Sequence, residues 1–253
     1  MWYDPDGRAM RRYPSSYASS FSFGPGPIST ALKALIAANV AMFLAAEFTP
    51  LNLNPILGLV PKLALRQLWL WQPITYMFMH AGVVHLVINM LTLWMFGGEL
   101  ERTWGTRYFL KYYFVTGVGA GALTVLISLL PFEFTQQIYS SATVGASGAI
   151  FGLLLAYGLY FPDRPIYLYF VFPIPAKYFV LIIGAISFFA GGGVAHATHL
   201  GGVLVGYVYL KSARIHPLSE MKYRYLKWKI NRVRKKFDVY SGGRADDWDR
   251  RVH

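Results

Sequence analysis

The sequence predicts an all-α polytopic membrane protein, and three observations carry that expectation. First, the 253 residues are 55% hydrophobic and only 14% charged, whereas a soluble domain carries about 25% charged residues; mean hydropathy is +0.37. Second, six apolar segments follow one another along the chain. Third, Lys and Arg collect at alternate segment ends, the pattern that sets orientation in a bilayer.

Residues 1–28 read as a polar, flexible lead. Asp4, Pro5, Asp6 and a Ser/Tyr/Gly/Pro-rich stretch precede any apolar run, so no signal-peptide core sits near Met1. The six segments run Ser29–Glu47, Val83–Gly97, Tyr108–Leu130, Ala146–Phe161, Ala176–Ala190 and Val194–Leu210. Several fall short of the roughly 20 residues that span a bilayer unaided. Flanking snorkelling and local thinning accommodate short helices.

Arg8, Arg11 and Arg12 precede the first segment, and Arg102, Arg107 and Lys111 lie between the second and third. Arg164 and Lys177 flank the link from the fourth to the fifth. Six spans put all of these on one side, with both termini cytoplasmic. The opposite loops hold only Lys62, Arg66 and Glu133.

Two connections interrupt the pattern. Thr49–Gly82 is long and rich in aromatics (Trp69, Trp71, Tyr76, Phe78), which favour the membrane interface over water. Ile166–Pro175, with Tyr167, Tyr169, Phe170 and Phe172, is expected to skim the cytoplasmic interface.

The domain plan is therefore 1–28 lead, 29–211 membrane domain and 212–253 basic cytoplasmic tail. The net charge is +12, and 13 of the 24 Lys and Arg lie from Lys211 onward. Met221–Val239 spaces Tyr225, Trp228, Ile230, Val233 and Phe237 near the helical period, as a basic amphipathic helix on anionic lipid would. A solvated tail fits the same residues. Nucleic-acid binding is set aside because the rest of the chain is membrane. There are no cysteines, hence no disulfides, thiolate ligands or cysteine nucleophile.

Intramembrane polar groups are the functional candidates, because their burial is costly. His85 and Asn89 stand four apart on the second segment, on one helix face. Ser147, between Gly145-Ala146 and Gly148, opens the fourth; His196, Thr198 and His199 open the sixth. These three segments run in one direction, so their N-terminal halves share a depth.

Serine needs a base to become a nucleophile, and histidine supplies one near neutral pH. Asn89, His85 and the backbone N–H of Ser147 are the donors available to a developing oxyanion. No carboxylate accompanies His199, so a Ser147–His199 dyad is expected, its histidine tautomer held by some other group. Gly148-x-x-x-Gly152 and Gly202-x-x-x-Gly206 would let the two helices approach closely.

Each feature alone has a plainer reading: Ser147 as a small packing residue, either histidine as a hydrogen-bonder between helices, the glycines as packing only. Their conjunction favours the site. His80 reads as structural. His196 and His199 with His85 would be a thin metal set, with no carboxylate and no H-E-x-x-H pattern. No metal and no cofactor is expected.

Over Ser29–Leu210 the chain resembles the rhomboid intramembrane serine proteases. Three elements carry the resemblance: Trp71-Gln72-Pro73-Ile74-Thr75-Tyr76-Met77-Phe78-Met79-His80 followed by His85 through Asn89; Gly97-Gly98-Glu99-Leu100-Glu101-Arg102 with Gly105; and the pair Gly145-Ala146-Ser147-Gly148 and Ala197-Thr198-His199-Leu200-Gly201-Gly202. The resemblance implies a six-helix bundle open laterally to lipid, a Ser147–His199 dyad, an oxyanion site including His85 and Asn89, and a hairpin half-sunk in the outer leaflet between the first two helices.

Two positions depart from the common pattern. Gln72 stands where many members carry Arg, which removes a charged anchor from the hairpin. Phe151 stands where many carry Tyr, and either ring can pack on the catalytic imidazole.

The function expected is a serine endopeptidase cutting transmembrane helices of membrane proteins near the non-cytoplasmic face, in a multi-pass protein of a prokaryotic cell membrane. A catalytically silent, client-binding membrane protein of the same fold is the alternative. A small transporter using His and Asn is a third reading.

Overall fold

The computed structural model describes residues 26–168, 172–190 and 193–212. The lead to residue 25, the basic tail from residue 213 and the expected amphipathic helix Met221–Val239 lie outside the described residues.

Helix α1 (Thr30–Phe48) begins where Ser29 caps it, the Leu32 N–H donating to Ser29 Oγ at 3.1 Å. Three short helices follow, α2 (Asn54–Leu57), α3 (Pro61–Arg66) and α4 (Gln72–Thr75), each with a proline in its first turn. There the missing N–H costs nothing. The long first connection is thus helical in pieces.

Helix α5 (Val83–Thr92) passes through a wider π-helical stretch, Leu93–Gly97, into α6 (Gly98–Trp104). Gly105, in the left-handed region at φ 80°, turns the chain into α7 (Thr106–Ser128). Then come α8 (Glu133–Ser140), α9 (Ser147–Tyr160), α10 (Ala176–Ala190) and α11 (Gly193–Ser212).

Each of the six apolar segments coincides with helix. Among the described residues, three helices are long and apolar enough to cross a bilayer: Thr30–Phe48, Val83–Trp104 and Thr106–Ser128. Ser147–Tyr160 and Ala176–Ser187 are apolar but shorter.

One feature departs from the all-helical expectation, and one helix is additional to the six apolar segments. Pro165–Leu168 (β1) and Phe172–Pro175 (β2) form an antiparallel pair, with Pro165 opposite Pro175 and Tyr167 opposite Pro173. Three prolines in eight residues bar a helix, while the alternating aromatic and branched residues suit a strand. Helix α8 was not anticipated; its eight residues are mostly polar and bury Ile138 on one side.

The core gathers around α7. Tyr76, Met77, Leu93, Phe109, Tyr112, Tyr113 and Leu153 are fully buried. Tyr76 donates its hydroxyl hydrogen to Gly117 O at 2.6 Å, and Tyr112 does the same to Gly152 O at 2.8 Å. Buried phenols that find carbonyl partners tie helices together in a dry interior. Glu101, also buried, accepts from Ser29 at 2.5 Å and Thr106 at 2.7 Å, which joins the starts of α1 and α7 to α6. Glu99 pairs with Arg164 and accepts from Tyr157 at 3.0 Å.

Gln72 is fully buried. Its Oε1 accepts from the Val60 N–H at 3.0 Å, and its Nε2 donates to Pro55 O at 2.7 Å. Trp71 Nε1 donates to Ile56 O at 2.8 Å, and Thr75 Oγ1 to Leu57 O at 2.6 Å. The connection therefore keeps an anchor at position 72, a neutral amide with both ends satisfied. Gln72→Ala leaves the Val60 N–H without its partner and is expected to lower stability by about 1–3 kcal/mol. Thermal unfolding in detergent will read the loss.

Candidate active site

The segment before Ser147 is held from two sides. Leu59 and Thr143 form an isolated antiparallel bridge, with N–H to O distances of 2.9 and 2.8 Å. The Gly145 N–H donates to Tyr76 O at 2.9 Å. Gly145 itself sits at φ 125°, where side chains are rarely tolerated. A Cβ there would lie 2.7 Å from His85 Cε1 and 2.9 Å from His85 Nε2. Glycine at 145 thus permits both the turn and the approach of the His85 ring.

Ser147 is the first residue of α9, so its N–H has no partner within the helix. Its Oγ lies 2.9 Å from His199 Nε2. The two residues are 52 apart in sequence, and glycines bring their helices together. A Cβ on Gly202 would lie 1.9 Å from Gly148 O, and one on Gly206 would lie 3.3 Å from Gly152 Cα. Helices α9 and α11 therefore touch backbone to backbone. Thr198 Oγ1, 2.9 Å from Thr124 Oγ1, ties α11 to α7 just beside the histidine.

The His199 ring is fixed on three sides. Phe151 stacks on its face, with centroids 4.2 Å apart and planes 14° apart. Ser147 Oγ meets Nε2, and Ser187 Oγ on α10 meets Nδ1 at 2.7 Å. Ser187 escaped the sequence reading, although it is the only polar residue of α10 beyond its first turn. The criterion that singled out Ser147, a hydroxyl in an apolar helix, applied to it equally.

His85 projects from the first turn of α5 toward the same place. Its Cε1 and Nε2, and Ser147 Oγ, all lie within 4 Å of the point where a Cβ on residue 145 would sit. The Ala81 N–H points at His85 Nδ1 from 3.5 Å, the outer limit of a hydrogen bond. With Nδ1 accepting from Ala81, the ring proton sits on Nε2, on the side facing Gly145 and Ser147.

Asn89 stands one turn further along α5, buried, and its Nδ2 donates to His85 O at 2.7 Å. One of its two amide protons is thus engaged in its own helix. His80 stacks edge-on against His85 at 5.1 Å. Burial, and then the neighbouring His85, pull the His80 imidazole down to about 4, so it is neutral at pH 7.

Among the described residues, no group of three His, Asp or Glu is arranged to hold a metal ion. Both ring nitrogens of His199 face serine hydroxyls.

The rhomboid domain profile matches residues 67–213. The chain is 34% identical over 138 residues to "Rhomboid protein 1, mitochondrial" of Saccharomyces cerevisiae, covering 52% of this chain and 38% of that protein. It is 35% identical over 140 residues to "Rhomboid protease GluP" of Bacillus subtilis, covering 54% of this chain and 25% of that one. To "Rhomboid protease AarA" of Providencia stuartii it is 28% identical over 218 residues, covering 78% and 77%. The match thus takes in well under half of the yeast and Bacillus proteins. Mitochondrial and bacterial relatives appear side by side, so the expectation of a prokaryotic membrane gains no support from them. A profile matched across more than half the chain, over helices apolar enough to enter a bilayer, makes this an integral membrane protein of the rhomboid family.

Proposed function

We propose that the chain is an intramembrane serine endopeptidase that cleaves transmembrane helices of membrane proteins near the non-cytoplasmic face. The observation that carries this is the 2.9 Å approach of Ser147 Oγ to His199 Nε2, across two helices packed glycine to glycine. The protease names of the Bacillus and Providencia relatives support it.

In this reading His199 takes the Ser147 proton on Nε2 as Oγ attacks the scissile carbonyl carbon. The C=O electrons move to oxygen. His85 Nε2–H, the Ser147 backbone N–H and the second Asn89 amide proton offer hydrogen bonds to that oxyanion. The tetrahedral intermediate collapses, the C–N bond breaks, and His199 returns the proton to the leaving amine. Water then attacks the acyl ester, giving its proton to His199. In the second collapse the C–Oγ bond breaks, His199 returns that proton to Oγ, and the acid leaves with Ser147 restored.

The six apolar helices would all span the bilayer, with both termini and the basic tail 212–253 on the cytoplasmic side, the tail resting on anionic lipid. The substrates are membrane proteins whose helices unwind at the level of Ser147. Gly145, Gly148, Phe151 and Gly202 support the site by shape rather than by chemistry.

The deciding experiment pairs a fluorophosphonate probe with a single-pass reporter in proteoliposomes. Label on Ser147 together with reporter cleavage supports the proposal. Intact reporters and an unlabelled Ser147 would replace it with a silent client-binding protein, and solute flux without proteolysis with a transporter. The oxyanion donors give a graded check: His85→Ala and Asn89→Ala should each lower kcat about 10²–10³-fold, with little change in KM.

A further inference from the structure

The mechanism above needs one tautomer of His199. Nε2 must be bare to accept the Ser147 proton, so the ring proton must sit on Nδ1. In a membrane helix without a neighbouring carboxylate, something else must hold it there. We infer that Ser187 is the positioning residue that accepts the His199 Nδ1–H and so keeps Nε2 free as the base. This rests on the protease reading and names a third member of its site.

The geometry supports the role in three ways. Ser187 Oγ and Ser147 Oγ sit on opposite nitrogens of one ring, at 2.7 and 2.9 Å. With Phe151 against the ring face, a flipped imidazole would present carbons to both hydroxyls and lose both hydrogen bonds. The ring's orientation is therefore set by α9 and α10 jointly.

Ser187 also occupies the inward side of its helix. Leu181, Ile182, Ile186 and Phe189 of α10 are exposed, whereas Ser187 is half-buried. A hydroxyl on this apolar helix is turned toward the imidazole rather than outward.

Finally, a serine hydroxyl oxygen carries two lone pairs, so it can receive Nδ1–H at the observed 2.7 Å. A neutral hydroxyl orients the ring but stabilises the imidazolium less than a carboxylate would, since charge-assisted bonds are about twice as strong.

The test uses the full chain in bicelles with 15N-labelled histidine, His199 assigned by comparison with His199→Gln. In the wild type the His199 ring should show a protonated Nδ1 and a bare Nε2. Ser187→Ala should move ring proton population to Nε2, and Ser187→Thr, which keeps the hydroxyl, should restore the wild-type pattern. In reporter cleavage, Ser187→Ala should lower kcat about 3- to 10-fold, the worth of one neutral hydrogen bond, leave KM unchanged, and be rescued by Ser187→Thr. A Ser187→Ala protein with the wild-type ring pattern and wild-type kcat overturns the inference. If the wild type itself cleaves nothing, the protease reading falls. The ring spectrum still decides for or against Ser187, because it needs no turnover.

Discussion

Ser147→Ala will reduce reporter cleavage to the level of empty liposomes, and His199→Ala will come close to it. The two side chains act as one unit. Without the hydroxyl no acyl-enzyme forms, and without the imidazole the hydroxyl keeps its proton at neutral pH. In soluble serine proteases, removal of either group costs about 10⁶ in kcat, and removing both costs hardly more. The same non-additivity is expected here, because the 2.9 Å contact joins them directly. The double variant should therefore be no slower than Ser147→Ala alone. Quantitative mass spectrometry of reporter fragments will measure all three variants. A Ser147→Ala protein that cuts at the wild-type rate would remove the assignment altogether.

Gly202→Val will disrupt the site by a different route. A Cβ at 202 would stand 1.9 Å from Gly148 O, a backbone atom that cannot rotate away. Even alanine requires α9 and α11 to separate, and valine adds two methyl groups to the same gap. Separation carries His199 away from Ser147, and it also loosens the packing of Gly206 against Gly152. Membrane helices associate through close packing rather than through a hydrophobic drive, so a lost small-residue contact is not recovered elsewhere. A loss of more than about 4 kcal/mol is expected, the range of severe overpacking and backbone conflict. Folding yield and thermal unfolding in detergent will read it, and fluorophosphonate labelling of Ser147 should fall with them. Gly184→Ala serves as the control. No atom lies within 4 Å of a Cβ built there, so the change should be silent.

These expectations differ in what they owe to sequence. The apolar segments were legible because bilayer thickness imposes a length and a composition on each helix. Their boundaries agree with the helices to within a few residues: Ser29–Glu47 against Thr30–Phe48, Ala146–Phe161 against Ser147–Tyr160. Ser147, His85, Asn89 and His199 stood out because polar groups in such segments are rare. Less legible was anything that depends on which faces meet. The prolines and aromatics of Ile166–Pro175 mark an interfacial break, but not the pairing of Pro165–Leu168 with Phe172–Pro175. That Gln72 anchors the connection follows only from the bonds its amide makes to Val60 and Pro55.

Composition, spacing and charge bias thus determined by themselves that this is a membrane protein, where its helices lie, and which few side chains have chemistry to offer. They did so because the bilayer is a uniform solvent that penalises each residue locally, one position at a time. The tertiary structure alone decided that Ser187 faces His199, that the Gly145 turn admits the His85 ring, and that Gly202 rests on a carbonyl of α9. Those are contacts between distant parts of the chain. They follow from the rotation and crossing of packed helices, which no single segment encodes.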